Sequence, residues 1–94
     1  LLSEFFELDG MTRNVLQRGE LVTHLTLPEG AGEWQGDYQK LSQRESWDFP
    51  EAGVAVLWKR NGGAKPADLR VGTTGLESIP GFHTEEAASA LADW

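Results

Sequence analysis

The 94-residue sequence contains no cysteine, one methionine, one tyrosine and only eight basic residues against fifteen acidic ones. Each shortage removes a class of chemistry. Without cysteine there is no disulfide framework, no thiolate nucleophile and no thiolate ligand for zinc or an iron–sulfur cluster. That composition is compatible with the cytoplasm, which is the expected location. The formal charge of −7 argues against nucleic acid as a partner, because phosphate neutralisation needs clustered lysine and arginine. No apolar run approaches the ~20 residues that a membrane span requires. Leu1-Leu2 passes at once into Ser3-Glu4, so no signal-peptide core is expected. The absence of methionine at position 1 predicts that Leu1 marks an artificial or processing boundary.

What is present suits a small α+β domain. Hydrophobic residues make up 39% of the chain, and four tryptophans and four phenylalanines supply much of that bulk. At this length only about two thirds of the unfolded surface can be buried, so stability should be modest. Some of the large rings are expected to cap an interface instead of filling a core.

Turn signals divide the chain. Residues 1–9 are acidic and aromatic, and Phe5-Phe6 reads equally as a short strand or a helix end. In 20–27, Leu21, Thr23, Leu25 and Leu27 alternate with Val22, His24 and Thr26, which predicts a half-buried strand. Pro28-Glu29-Gly30-Ala31-Gly32 breaks it. A second strand is expected around Tyr38 and a third, buried one over 53–60. Asn61-Gly62-Gly63 is the best turn signal in the chain, since asparagine and glycine tolerate positive φ. A returning strand over 69–74 completes an antiparallel meander of three to four strands. The last element is a helix over 84–93, with Thr84 as N-cap and Glu85 and Glu86 in its first turn. Ala87, Ala90, Leu91 and Trp94 are expected on its buried face. A helix of ~10 residues is not stable alone and must pack on the sheet.

Catalytic constellations are thin. His24 and His83 have no carboxylate at ligand spacing, so no metal site is expected. His24 is expected to face solvent and His83 to stand at the start of the helix. Ser42 and Ser46 lack a neighbouring histidine, and nothing resembles a nucleophile elbow. Gly72-Thr73-Thr74-Gly75 lacks the Gly-Lys-Ser/Thr of a phosphate loop and reads as a turn. No catalytic residue is assigned, and the isolated chain is expected to be inactive.

The most informative stretch is Tyr38-Gln39-Lys40-Leu41-Ser42-Gln43-Arg44, followed by Trp47-Asp48-Phe49-Pro50 and Gly53-Val54-Ala55-Val56-Leu57. Continued as a strand, it puts Tyr38, Lys40, Ser42 and Arg44 on one face and Leu41 on the other. That stripe suits either a solvated edge strand or the holding of an anionic, ring-bearing ligand by cations and a flat ring.

Lys40, Arg44, Asp48 and Val54-Ala55-Val56, together with Gly19-Glu20-Leu21-Val22-Thr23, Pro28, Gly62-Gly63, Asp68-Leu69-Arg70-Val71-Gly72 and the segment 86–91, resemble the FAD-binding (medium) subunit of molybdenum hydroxylases. The likeness is to the carbon monoxide dehydrogenase flavoprotein type, with a related segment in xanthine dehydrogenase, and it extends over nearly the whole chain. It rests on the order and spacing of these segments. The resemblance implies that residues 1–29 are the tail of the FAD-binding domain and that 33–94 form the first part of the C-terminal domain.

It also implies roles. Lys40 would reach the flavin, where a cation stabilises negative charge on the reduced ring. Asp48 and Phe49 would lie beside the isoalloxazine, and Val22 would pack near the adenine end of FAD. Phe49 departs from the pattern, since carbon monoxide dehydrogenases tend to carry a tyrosine there. The glycine-rich pyrophosphate loops of the family are absent from this sequence. The implied parent is an oxidoreductase that passes electrons from molybdopterin through [2Fe-2S] clusters, both in partner subunits, to FAD and on to an external acceptor. The chain would wall the flavin and aid docking of the molybdopterin-binding and iron–sulfur subunits and of the rest of the FAD subunit. The other reading is a non-catalytic interaction domain that binds a protein through exposed aromatic residues such as Trp34 and Trp47.

Overall fold

A computed structural model describes residues 1–7 and 11–94. Its centre is a four-stranded antiparallel sheet in the order β1 (Gln35–Leu41), β2 (Ala52–Lys59), β3 (Asp68–Thr74) and β4 (Gly81–Phe82). One helix, α1 (Thr84–Asp93), follows and packs against β3. The architecture is the α+β meander with a C-terminal helix that the sequence predicts. Leu8 and Asp9, the end of the acidic N-terminal block, lie outside the described residues.

The meander follows from local chemistry. β2 carries Val54, Val56 and Trp58, residues that fit a pleated and half-buried surface. It pairs with β1 from Gln35↔Trp58 to Leu41↔Ala52 and with β3 from Gly53↔Thr74 to Lys59↔Asp68. Gly62 sits at φ +90° in the β2–β3 connection, in the turn expected from Asn61-Gly62-Gly63. The connection closes where the Ala67 N–H donates to the Lys59 carbonyl at 2.8 Å. At the opposite end the Glu51 N–H donates to the Leu41 carbonyl at 2.7 Å, closing the β1–β2 loop.

Several expectations are corrected. Residues 20–27 form no strand: they are exposed throughout and make no strand pairing with the other described residues. Alternation prepares a strand, but the backbone donors need a ladder partner, and none of the described residues supplies one. The buried strand expected over 53–60 is only half-buried, because Gly53 alone in β2 is buried. Residues 72–74 belong to β3, and only Gly75 turns, at φ +80°. The helix N-cap is His83, without a side-chain capping bond, and Thr84 is the first helical residue. His83 takes that position because its own N–H is still engaged by the sheet, donating to the Val71 carbonyl at 2.9 Å.

The face of α1 is also rotated from the expected one. Ala87 is buried at 4% exposure and Leu91 is half-buried, whereas Ala90 is exposed and Trp94 is 71% exposed. Thr84, Ala88 and Leu91 share a hollow with Pro66 and Leu69 beside β3. At 100° per residue that sector runs through 84, 87, 88 and 91 and turns Ala90 outward. Trp94 lies past the last helical turn.

The accessible surface is 8112 Å², against about 5,400 Å² for a compact monomer of this size. The radius of gyration is 15.9 Å, against ~12 Å. Among the described residues Ala87 is the only buried hydrophobic side chain, while Leu57, Tyr38, Phe82, Leu41, Phe49 and Trp47 are between 43% and 93% exposed. The sheet is thus a platform whose apolar faces are largely uncovered.

Candidate functional site

Strand register defines the platform. Residues paired across an antiparallel ladder share a face, so Gly36, Tyr38 and Lys40 stand with Gly53, Ala55, Leu57 and Lys59, and with Thr74, Gly72, Arg70 and Asp68. Side-chain positions agree. A Cβ added at Gly36 would strike Leu57, and one added at Gly53 would strike the Tyr38 hydroxyl and Thr74 Oγ1. These glycines let the larger neighbours lie down across the sheet. All three strand cations, Lys40, Lys59 and Arg70, are on this face, and the opposite face of β1–β3 carries Asp37 and no base. In a chain of net charge −7, the positive charge of the sheet is therefore gathered on one side.

At one end of this face Lys40 reaches the backbone of the loop that carries Asp48 and Phe49. The Lys40 Nζ donates to the Asp48 carbonyl at 3.2 Å. The Asp48 carboxylate accepts from the Arg44 N–H (Oδ2, 3.2 Å), the Arg44 guanidinium (Nη2 to Oδ1, 3.3 Å) and the Phe49 N–H (Oδ1, 2.9 Å). The guanidinium of Arg44 holds this carboxyl below the usual carboxylate range, with the two backbone donors and the charge of Lys40 acting in the same direction and desolvation opposing them. Asp48 is thus the brace of the loop over 42–51. Phe49 is 88% exposed and Trp47 93% exposed, so the braced loop presents two flat rings.

The stripe expected from Tyr38 to Arg44 is shorter than period-two geometry alone implies. β1 ends at Leu41, so Ser42 and Arg44 lie in the loop. There the Ser42 hydroxyl donates to the Arg44 carbonyl at 3.0 Å, and Arg44 folds back onto Asp48. The loop's own donors thus replace the ladder that a longer strand would have needed.

Val22 lies elsewhere, lining a hollow of about 300 Å³ with Leu1, Leu2, Phe5, His24 and Leu25. His24 is exposed and its Nδ1 is 2.8 Å from the Thr23 hydroxyl. The Nε2 of His83 is 2.9 Å from the Thr73 hydroxyl at the start of α1. No group of three or more potential metal ligands is assembled among the described residues. No helix among them is long and apolar enough to cross a membrane.

At the other end of the face stands a cluster that the sequence reading did not assemble. The Trp34 ring lies under two cations, with Lys59 Nζ 5.0 Å and the Arg70 guanidinium 4.3 Å from its centroid. Lys59 also pairs with Glu33 at 2.8 Å, and the lysine's hydrogen bond and charge hold that carboxyl below its ordinary value. The available signal was parity. Trp34 is an even step before Tyr38 and Lys40, and an antiparallel β2–β3 pair brings Leu57 opposite Arg70. Compared with protein-family models, the chain matches none.

Proposed function

We propose that the chain is a segment of the FAD-bearing subunit of a molybdenum hydroxylase, walling the isoalloxazine at the Lys40–Asp48–Phe49 rim and docking neighbouring parts of a larger cytoplasmic oxidoreductase. The observation that carries the reading is the approach of Lys40 Nζ to the Asp48 carbonyl at 3.2 Å, which brings the cation to the loop that carries the exposed Phe49. The residues suit a flavin. Lys40 makes one hydrogen bond among the described residues and an ammonium has three donors, so it retains capacity for a ligand acceptor. Phe49 offers a flat apolar face. Asp48 suits a supporting role, since its carboxylate is engaged by Arg44 and Phe49. Bound FAD would supply transfer of electrons to an external acceptor. This chain's residues would orient the ring and set the charge beside it. The uncovered apolar surface supports a role in docking, as exposed patches of that extent mark interaction surfaces.

The test is Lys40→Ala in the complete flavin subunit. Lower FAD occupancy or a shifted flavin reduction potential is expected, and unchanged values of both would sink the assignment. The second reading, a non-catalytic interaction domain, is favoured by the exposure of Trp47 and by the excess surface. It predicts a colourless full-length protein, whereas the flavin reading predicts a yellow one.

A further inference from the structure

Arg70 differs from the other cations that the fold positions. Arg44 is paired with Asp48, Lys59 with Glu33, and Lys40 with the Asp48 carbonyl. Arg70 has no carboxylate within ion-pair distance and no hydrogen-bond acceptor among the described residues. Its guanidinium is nevertheless held in place, 4.3 Å from the centroid of Trp34. A cation–π contact uses none of the guanidinium's five N–H donors as a conventional hydrogen bond, and two of them side by side can grip a carboxylate by parallel bonds.

Beside this group runs a groove of about 560 Å³ lined by Ala55, Leu57, Asp68, Arg70, Gly72 and Phe82, among others. Its floor is low because Ala55 and Gly72 stand on the sheet face between larger neighbours. Leu57 and Phe82 form the apolar walls and are 43% and 62% exposed. The volume falls in the range of small-molecule sites, about 300–1,000 Å³, and such sites pair an apolar lining with few orienting polar groups. Asp68 also lines the groove, but along β3 it stands on the far side of Arg70 from Gly72 and Phe82, away from where the ring would lie.

We propose that this groove binds a small organic carboxylate with a flat, mono- or bicyclic apolar body, the carboxylate on Arg70 and the ring laid over Ala55 and Gly72 between Leu57 and Phe82. The charge selects the acid over its neutral analogue. The small floor residues select a flat body, since a side chain at position 72 would occupy the space that the ring takes. This site is distinct from the Lys40 rim and does not depend on flavin.

The test is titration of the 94-residue chain with 1-naphthylacetate and, as the uncharged comparator of the same shape, 1-naphthylacetamide, followed by backbone-amide NMR. The acid should bind with shifts centred on Leu57, Arg70, Gly72 and Phe82, and the amide about tenfold or more weakly, the usual scale for a hydrogen bond to a charged group. Arg70→Gln should erase the preference for the acid. Gly72→Val should abolish binding of both compounds. An added Cβ there meets only the Gly81 carbonyl at 3.7 Å, so the substitution fills the groove without straining the strand. Equal affinity for acid and amide, a preference that survives Arg70→Gln, binding that survives Gly72→Val, or shifts centred on other residues would each overturn the proposal.

Discussion

Gly75 and Gly62 both adopt left-handed backbone conformations, φ +80° and +90°, yet replacing them by alanine should have different consequences. An L-residue in that region costs about 1–2 kcal/mol. Alanine recovers roughly 0.4–1 kcal/mol by restricting the unfolded chain. The net loss at Gly62, where an added Cβ meets nothing within 4 Å, is then about 0–1.6 kcal/mol. At Gly75 the Cβ would lie 3.0 Å from the Glu51 carbonyl oxygen and 3.4 Å from that of Pro50. These are backbone atoms with little freedom, because the Glu51 N–H is tied to Leu41 at 2.7 Å. Overpacking against a fixed backbone adds about 1 kcal/mol or more, bringing Gly75→Ala to about 2 kcal/mol. Urea denaturation of the two variants is the assay. With a slope of about 1 kcal/mol/M for a small domain, the Gly75→Ala midpoint should fall about 1 M below that of Gly62→Ala. Coincident midpoints would refute the reasoning, since they would mean that the turn at 75 does not press on the end of the loop that carries Asp48 and Phe49.

The brace and the aromatic stack give further expectations. Arg44→Gln should raise the Asp48 carboxyl towards its ordinary value of 3.8, because the guanidinium is the main cause of its depression; the carboxyl carbon shift in NMR reads this directly. Since the folded value is the lower one, the stability that Asp48 contributes is present above pH 3.8 and is lost as the pH falls through the folded value. Lys59→Gln should move Glu33 upwards in the same experiment. Trp34→Ala should destabilise the chain by about 1–2 kcal/mol through loss of two cation–π contacts at about 0.5–1 kcal/mol each. Trp34→Phe should retain part of it, and a Trp34→Ala variant as stable as the parent by urea denaturation would remove the stack from the account.

The elements with strong local signals were legible from the chain. The apolar run around Val54–Val56, the Asn61-Gly62-Gly63 turn and the alanine-rich segment after Thr84 each correspond to an observed element, because propensity, turn chemistry and pattern agree there. The alternation over 20–27 was as regular as that of a true strand and still failed. Nothing in a single segment says whether another will supply the ladder partners its backbone requires. The face of α1 was misjudged in the same way: the sequence names the alanines, but the position of β3 decides which of them are covered.

For the site the division is similar. The residue types at 40, 48 and 49 are a matter of sequence, as is the suitability of an aspartate before a proline-containing loop for binding backbone donors. That β1 stops at Leu41, that Arg44 turns back to brace Asp48, and that Lys40 meets the Asp48 carbonyl depend on how the loop closes on β2. The Trp34 stack lay furthest from view, since its members come from three places in the chain and meet only through the register of two strand pairs. By itself the sequence determined which segments favour strand, turn and helix and how much charge the chain carries, because these depend on near neighbours and composition. Which cations share a face, which of them keep free donors and which apolar surface stays open were decided by tertiary structure, because side chains far apart in the chain become neighbours only when hydrogen bonding fixes one strand against the next.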